Sequence, residues 1–200
     1  MQRLIFSSAM LVALVSTGGL ACGGGAPATE PEPAEVSMEV GPETAPPASV
    51  QEEGPEGVVN YTRIDATVAC AGATPPEAMA ALKDLGFAAV INFRTVGERG
   101  ETVDAGQAAA EAAGLKYYHI PFRQPSAEVA ERFLETVAEP SNQPVYIHCG
   151  SANRVGAMWM IKRVKLDGWS VDDAMAEAEM IGLSSQSLKE FALEYVGNGV

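Results

Sequence analysis

Within the 200-residue sequence, one stretch has residue types and spacing that could do chemistry: Val145-Tyr146-Ile147-His148-Cys149-Gly150-Ser151-Ala152-Asn153-Arg154-Val155-Gly156. An apolar run leads into Cys149, small residues follow it, and Arg154 opens a helical pattern. A tight turn between a buried strand and a helix gathers main-chain N–H groups and the positive end of the helix dipole at one point, which makes an anion site. A thiol held there ionises more readily, because its charged form meets donors. Arg154 adds a planar fork that can hold two oxygens of a phosphate or another oxyanion. Taken singly, Cys149 would read as a core thiol and Arg154 as a surface residue. Together they point to a thiolate nucleophile, Cys149, with Arg154 as its catalytic partner.

The elements that must position this loop read as alternating strands and helices. Thr74-Pro75-Pro76-Glu77 opens a helix over residues 78–85, with Thr74 able to cap it, Pro in the first turn and Gly86 as the stop. Residues 88–93 then read as a short buried strand. A helix over 103–113 ends at Gly114, and a strand over 116–120 is closed by Pro121. Ser126 caps a helix over 128–137, and residues 144–148 form the strand that leads into Cys149. Helices over 155–167, 171–181 and 186–195 follow, with Ser170 and Ser185 as caps. The alternation predicts an α/β three-layer sandwich with a mostly parallel central sheet flanked by helices. Arg94 and Glu98 fall in the loop after the 88–93 strand, where functional groups gather. They either line the pocket or pair with each other. His119 alternates with Tyr118 and reads as a satisfied core or rim residue.

Ahead of this domain the composition changes twice. Residues 1–21 carry one basic residue, Arg3, then an apolar run and small residues, which is the anatomy of an export signal and too short for a mature transmembrane helix. Cys22 behind Gly19-Leu20-Ala21 resembles the lipobox of bacterial lipoproteins, which implies lipidation at Cys22, attachment to a membrane by a lipid anchor and a periplasm-facing cell-envelope lipoprotein. Residues 22–56 comprise that cysteine and a Pro/Glu-rich linker. From Gly23 on, this linker holds eight glutamates and no Lys or Arg, a composition unable to offset its ordering entropy. The domain is therefore expected over 57–200. The whole chain has a net charge of −13; with Arg3 and the eight linker acids set aside, 18 acidic and 12 basic residues remain, a net of −6. No basic stripe is available to neutralise phosphates, which argues against nucleic acid as a partner. The two His and the cysteines Cys70 and Cys149 lack ligand spacing, so no metal and no cofactor is expected. The two cysteines also leave open a Cys70–Cys149 disulfide.

His-Cys, four residues and Arg behind an apolar strand resembles the tyrosine-phosphatase-like domain found fused to beta-lactamase-hydrolase-like proteins, whose loop reads His-Cys-x-Ser-Gly-x-Arg-Ser. The resemblance runs over nearly all of residues 61–195. Val68-Ala69-Cys70-Ala71-Gly72-Ala73-Thr74-Pro75 is similar to that family's first strand and turn. Val90-Ile91-Asn92-Phe93-Arg94 with Glu98 is similar to its Asn-Leu-Arg and Glu motif, and His119-Ile120-Pro121-Phe122 to its third strand. Ala152 stands where the family has Gly, and Val155 where it has Ser.

The resemblance implies a protein-tyrosine-phosphatase-like fold and a Cys-dependent hydrolase of phosphate monoesters. In that reading Cys149 attacks phosphorus and forms a cysteinyl-phosphate. Arg154 and the loop residues Gly150, Ser151, Ala152 and Asn153 hold the remaining oxygens, His148 tunes the thiol, and Arg94 contacts substrate. The partner is then a phosphorylated small molecule or protein.

Two features pull elsewhere. Tyrosine and dual-specificity phosphatases have five residues between Cys and Arg, one more than here, and one residue spans up to ~3.6 Å. Residues 119–126 also hold no carboxylate where those enzymes place a general acid, leaving His119, Glu98, Asp104 or Glu128 as substitutes. A Cys149 persulfide of the rhodanese type, fed by a sulfur donor, needs no such acid and uses a loop of this length. A non-catalytic anion- or protein-binding module is the third reading.

Overall fold

The structure is a computed structural model and describes residues 53–197. The described residues all lie within the unit Thr44–Val200. The export signal, Cys22 and the linker up to residue 52 lie outside the described residues.

Among the described residues, five strands form one sheet: β1 (Thr62–Asp65), β2 (Val68–Ala71), β3 (Ala89–Asn92), β4 (Lys116–His119) and β5 (Val145–His148). Their spatial order is β1-β2-β5-β3-β4. β1 runs antiparallel to β2, and every other pairing is parallel. Every residue of β2, β3 and β5 is buried. Parallel strands covered on both faces read as continuous apolar runs, which is why β3 and β5 were visible in the sequence, whereas β2 was placed only by the family resemblance. β1 was not anticipated. Its Thr-Arg-Ile-Asp sequence buries only alternate residues, as a short edge strand does.

Among the described residues, six α-helices cover the sheet: α1 (Ala78–Asp84), α2 (Val103–Ala112), α3 (Ala127–Ala138), α4 (Asn153–Lys165), α5 (Val171–Ile181) and α6 (Gln186–Gly197). Side chains two apart on a strand share a face, and the core divides accordingly. Ala69, Ala71, Val90 and Tyr146 pack with Met79 and Leu82 of α1 and Ala110 of α2. Cys70, Ile91, Ile147 and Cys149 face the other way, towards Phe133 of α3, Trp159 of α4, Ala178 of α5 and Val196 of α6. The fold is thus the expected three-layer α/β sandwich, with a mixed, mostly parallel sheet.

Two of the helix starts are capped by the serines that the sequence marks. Ser126 and Ser170 accept from Val129 N and Asp173 N and cap α3 and α5. Thr74 does not cap α1, where Glu77 occupies the cap position without a side-chain bond. The Thr74 hydroxyl instead meets the buried Tyr146 hydroxyl at 2.7 Å, which satisfies two polar groups inside the α1 layer. α4 is buried on nearly all sides from Val155 to Ile161, because α5 and α6 cover the face turned from the sheet. Close approach at Gly156 permits this. A Cβ there would meet Ala178 O and Leu183 Cβ, each at 2.8 Å.

Candidate functional site

β5 is the middle strand, and Cys149 lies just past its carboxyl end between the ends of β2 and β3. Open α/β sheets bind ligands at this edge. Cys149 N donates to Ala71 O at 3.3 Å and Phe93 N to His148 O at 2.9 Å, so both neighbouring strands fix the exit from β5. The chain then turns through Gly150 and Ser151 to Ala152, whose φ of 68° and ψ of −5° are left-handed. The substitution of Ala for the Gly of the resembling loop therefore keeps the backbone path. The cost is roughly 1 kcal/mol of strain for a residue with a Cβ. α4 begins at the next residue, and its leading N–H groups, which have no intrahelical acceptors, sit at the loop that Cys149 opens.

Several contacts hold the loop. Ser151 bridges to Gly72 and its carbonyl accepts from Asn60 Nδ2 at 3.3 Å. Asn153 turns its side chain to the α5–α6 connection, where Oδ1 accepts from Ser184 N at 2.7 Å and Ser185 N at 2.8 Å. Whatever Asn153 offers an anion is thus restricted to its main chain. Gly182 supplies the remaining wall: a Cβ on it would lie 3.1 Å from Ala152 Cβ. Sequence reasoning missed Asn60, Gly182 and Ser184 and read Ser185 only as a helix cap; a glycine right behind a helical pattern was the available hint for Gly182.

Arg154 is held from outside the loop. Nη1 donates to Glu98 Oε2 at 2.9 Å, Phe93 O at 3.1 Å and Phe122 O at 3.0 Å, and Nη2 donates to Glu98 Oε1 at 2.7 Å. These contacts use the end of the guanidinium and leave the Nε–H and a second Nη2–H, a two-donor edge. Burial opposes charge on Arg154, but the Glu98 hydrogen bond, then Cys149 and the Glu98 charge, outweigh it and raise its pKa. The same interactions show Cys149 within electrostatic reach of the guanidinium. The sulfur itself is buried.

Glu98 is the complement. Burial would raise its pKa, yet the Arg154 hydrogen bonds, the Thr95 N–H and the charges of Arg154 and Arg94 hold it down at about 2. It is a carboxylate at neutral pH and no proton donor. Of the two sequence readings of Arg94 and Glu98, the pairing is present, with Arg94 Nε 3.4 Å from Glu98 Oε1. Arg94 is buried; Nη1 donates to Gly100 O at 2.6 Å and Nη2 to Arg99 O at 2.7 Å. Arg94 thereby also clamps the 95–102 loop. A cavity of about 160 Å³ opens beside it, lined by Thr74, Arg94, Gly100 and Thr102 among others.

His148 stacks on Tyr146, on the sheet face opposite Cys149. Burial first, and then the charge of Arg94, lower its pKa to about 3, so the ring is neutral. The backbones of Cys149 and Gly72 approach the ring, but neither nitrogen reaches a partner at hydrogen-bond geometry. His119 Nε2–H donates to Arg94 O at 2.7 Å, the satisfied rim position expected of it. Cys70 and Cys149 are both free thiols. Cys70 pairs in register with Ile147, two residues short of Cys149. Burial, with Glu177 nearby, pushes the Cys70 thiol well up. Among the described residues, no group of three or more His, Cys, Asp or Glu could hold a metal ion, and no helix is long and apolar enough to cross a membrane.

The sequence model of the beta-lactamase hydrolase-like protein, phosphatase-like domain, matches residues 61–165, from β1 through α4. The chain belongs to this family. The phosphatase-like domain so defined contains the whole constellation of Arg94, Glu98, Cys149 and Arg154. No curated protein matches the chain. Solved structures share the fold at low identity. The DUF442 protein of Shewanella putrefaciens CN-32 superposes with a TM-score of 0.61 at 19% identity, over 71% of this chain and 89% of its own. TpbA of P. aeruginosa gives 0.57 at 23% identity, over 77% and 92%. The core catalytic domain of the PP-IP phosphatase SIW14 from S. cerevisiae gives 0.58 at 20% identity, over 72% and 87%. The phosphatase-like domain of this chain therefore has the fold of Cys-dependent phosphatases, as the sequence resemblance implied.

Proposed function

We propose that this domain is a phosphatase that hydrolyses phosphate monoesters through a cysteinyl-phosphate at Cys149. The observation that carries the reading is the grip of Glu98 on Arg154, which leaves one two-donor edge of the guanidinium unspent beside the thiol. In the first step the Cys149 thiolate forms an S–P bond as the ester P–O bond breaks, and the electron pair leaves with the ester oxygen. Arg154 and the main-chain N–H groups of Gly150, Ser151, Ala152 and Asn153 hold the three other oxygens, a charge-stabilising role with no reorganisation at the moment of reaction. In the second step water attacks phosphorus, the S–P bond breaks, phosphate leaves and the thiolate returns. His148 lies behind the nucleophile and stays neutral, so it sets the thiol's surroundings without carrying protons. TpbA, one of the structural neighbours, is known in complex with pTyr, which supports a phosphorylated partner here.

The four residues between Cys149 and Arg154 favour one second reading, sulfur transfer through a Cys149 persulfide. A paired assay separates the two. The full chain and Cys149→Ser are given p-nitrophenyl phosphate, and separately thiosulfate with cyanide. Cys149-dependent release of nitrophenol supports the phosphatase. Thiocyanate without nitrophenol supports the sulfurtransferase, and neither product supports a binding module.

We further propose that the chain is exported, loses residues 1–21 and is anchored at the periplasmic side of the cell envelope through a lipid on Cys22, with residues 23–56 as tether. The support is the order of basic residue, apolar run, small residues and cysteine. Radiolabelled palmitate incorporated into the wild type and absent from Cys22→Ala is the expected result; equal labelling of both, or of neither, contradicts it.

A further inference from the structure

We infer that the preferred bond of this site is a phosphoanhydride, so that the substrate presents a terminal diphosphoryl group whose leaving phosphate is received by Arg99 and Arg123. The inference rests on the phosphatase reading and names its substrate class. It starts from what must happen to the leaving oxygen. An alkoxide is about as basic as hydroxide, so an alkyl phosphate needs a proton delivered as the P–O bond breaks. A phosphate leaving group, whose second ionisation has a pKa of about 6, departs as a stable anion and needs none.

The described residues offer no positioned donor for that proton. Glu98 has both oxygens on Arg154. Glu101, in the same loop, interacts with Tyr117, whose hydroxyl is bonded to Asn92 on the α2 side of the sheet, and Cys149 belongs to the opposite side. The 120–126 loop reads Ile-Pro-Phe-Arg-Gln-Pro-Ser and has no acid. His119 spends its Nε2–H on Arg94 O. Asp104 and Glu128 stand exposed in the first turns of α2 and α3.

These same two loops carry cations instead. Arg99 and Arg123 are exposed, and among the described residues neither guanidinium has a hydrogen-bond or ion-pair partner. The site's own guanidiniums fix the backbone from which both side chains rise. Arg94 Nη2 holds Arg99 O at 2.7 Å, and Arg154 Nη1 holds Phe122 O, the carbonyl just before Arg123, at 3.0 Å. Unpaired arginines are out of keeping with a chain of net charge −13, and their planar forks suit a second phosphoryl group beside the reacting one.

The step balances without a proton donor. Cys149 Sγ bonds to the terminal phosphorus as its bond to the bridging oxygen breaks, and that oxygen keeps the electron pair and leaves within a phosphate anion. Water then cleaves the S–P bond as above.

The test compares kcat/KM of the full chain on inorganic diphosphate, p-nitrophenyl phosphate and phosphoserine, with the double variant Arg99→Ala/Arg123→Ala alongside. Diphosphate is expected to exceed phosphoserine by at least ~10²-fold, the lower end of what a missing general acid costs an ester. The preference for diphosphate over p-nitrophenyl phosphate is expected to fall ~10-fold in the double variant, mostly through KM. Phosphoserine cleaved as well as diphosphate, or a preference that survives loss of both arginines, overturns the inference while leaving the phosphatase reading intact. A wild-type chain that releases no nitrophenol overturns both.

Discussion

Glu98 holds Arg154 with both carboxylate oxygens, Oε1 at 2.7 Å from Nη2 and Oε2 at 2.9 Å from Nη1, although 56 positions separate the two residues. The pair joins the loop after β3 to the first turn of α4, and Arg94 ties down the rest of that loop through Arg99 O and Gly100 O. A guanidinium fixed at one end presents its other edge in a single orientation, so less rotamer freedom is lost when an anion arrives.

Glu98→Gln keeps the size of the side chain and removes its charge. Turnover of p-nitrophenyl phosphate is expected to fall ~10- to 100-fold, with the loss mainly in kcat, because misplacement of a positioning group costs rate on that scale. Steady-state kinetics checks this. An unchanged kcat means Arg154 keeps its orientation without the pair.

Acid stability follows from Glu98 and His148 with definite signs. The folded pKa of Glu98, about 2, lies below its ordinary 4.5. Its stabilisation is therefore fully present above pH ~4.5 and is lost as pH falls through about 2. His148 also has a depressed folded pKa, about 3 against 6.5. Between those values the unfolded state binds a proton that the folded state refuses, so stability declines as pH drops from about 6.5 towards 3. His148→Phe is expected to remain within ~1 kcal/mol of wild type at pH 7, since neither ring nitrogen has a partner to lose. It should flatten the decline between pH 6.5 and 4.5 in urea titrations. A decline of undiminished slope would assign the acid sensitivity to other groups.

Gly182→Ala tests the wall behind the loop. Gly182 has φ of +131°, and a Cβ there would lie 3.1 Å from Ala152 Cβ and 3.4 Å from Ser151 O. Backbone strain and crowding add, so a loss of ~1 to 3 kcal/mol is expected, together with lower turnover because Ala152 is displaced. A thermal-unfolding midpoint and kcat both equal to wild type would show the wall to be slack.

Asn153→Ala removes the acceptor for Ser184 N and Ser185 N. A loss of ~1 to 2 kcal/mol is expected, the size of a lost capping contact. Asn153→Asp, which retains the acceptor, is expected to recover most of it. Equal loss in both variants would point to packing rather than to hydrogen bonds.

How much of this was legible depended on whether the signal was local. β3 and β5 announced themselves because burial on both faces left unbroken apolar runs, β2 was placed only through the family resemblance, and Ser126 and Ser170 stood right before helical patterns that they cap. β1 mixes Thr, Arg and Asp with one Ile, and at a sheet edge nothing more apolar is required. Cys149 and Arg154 were readable as a loop between strand and helix. The contacts that hold that loop were not, because Asn60 meets Ser151 across 91 positions and Asn153 meets Ser184 across 31. Arg94 and Glu98 were visible as candidates in a loop. Only the fold reveals that Glu98 reaches Arg154 and that Arg94 turns to the carbonyls of its own loop.

The most direct measurement of the central claim is mass spectrometry of the full chain, acid-quenched during turnover of p-nitrophenyl phosphate and digested. A phosphoryl group on the peptide that contains Cys149, absent from Cys149→Ser, is the predicted result. No adduct in the presence of turnover, or a phosphoryl group on any other residue, would contradict Cys149 as the nucleophile.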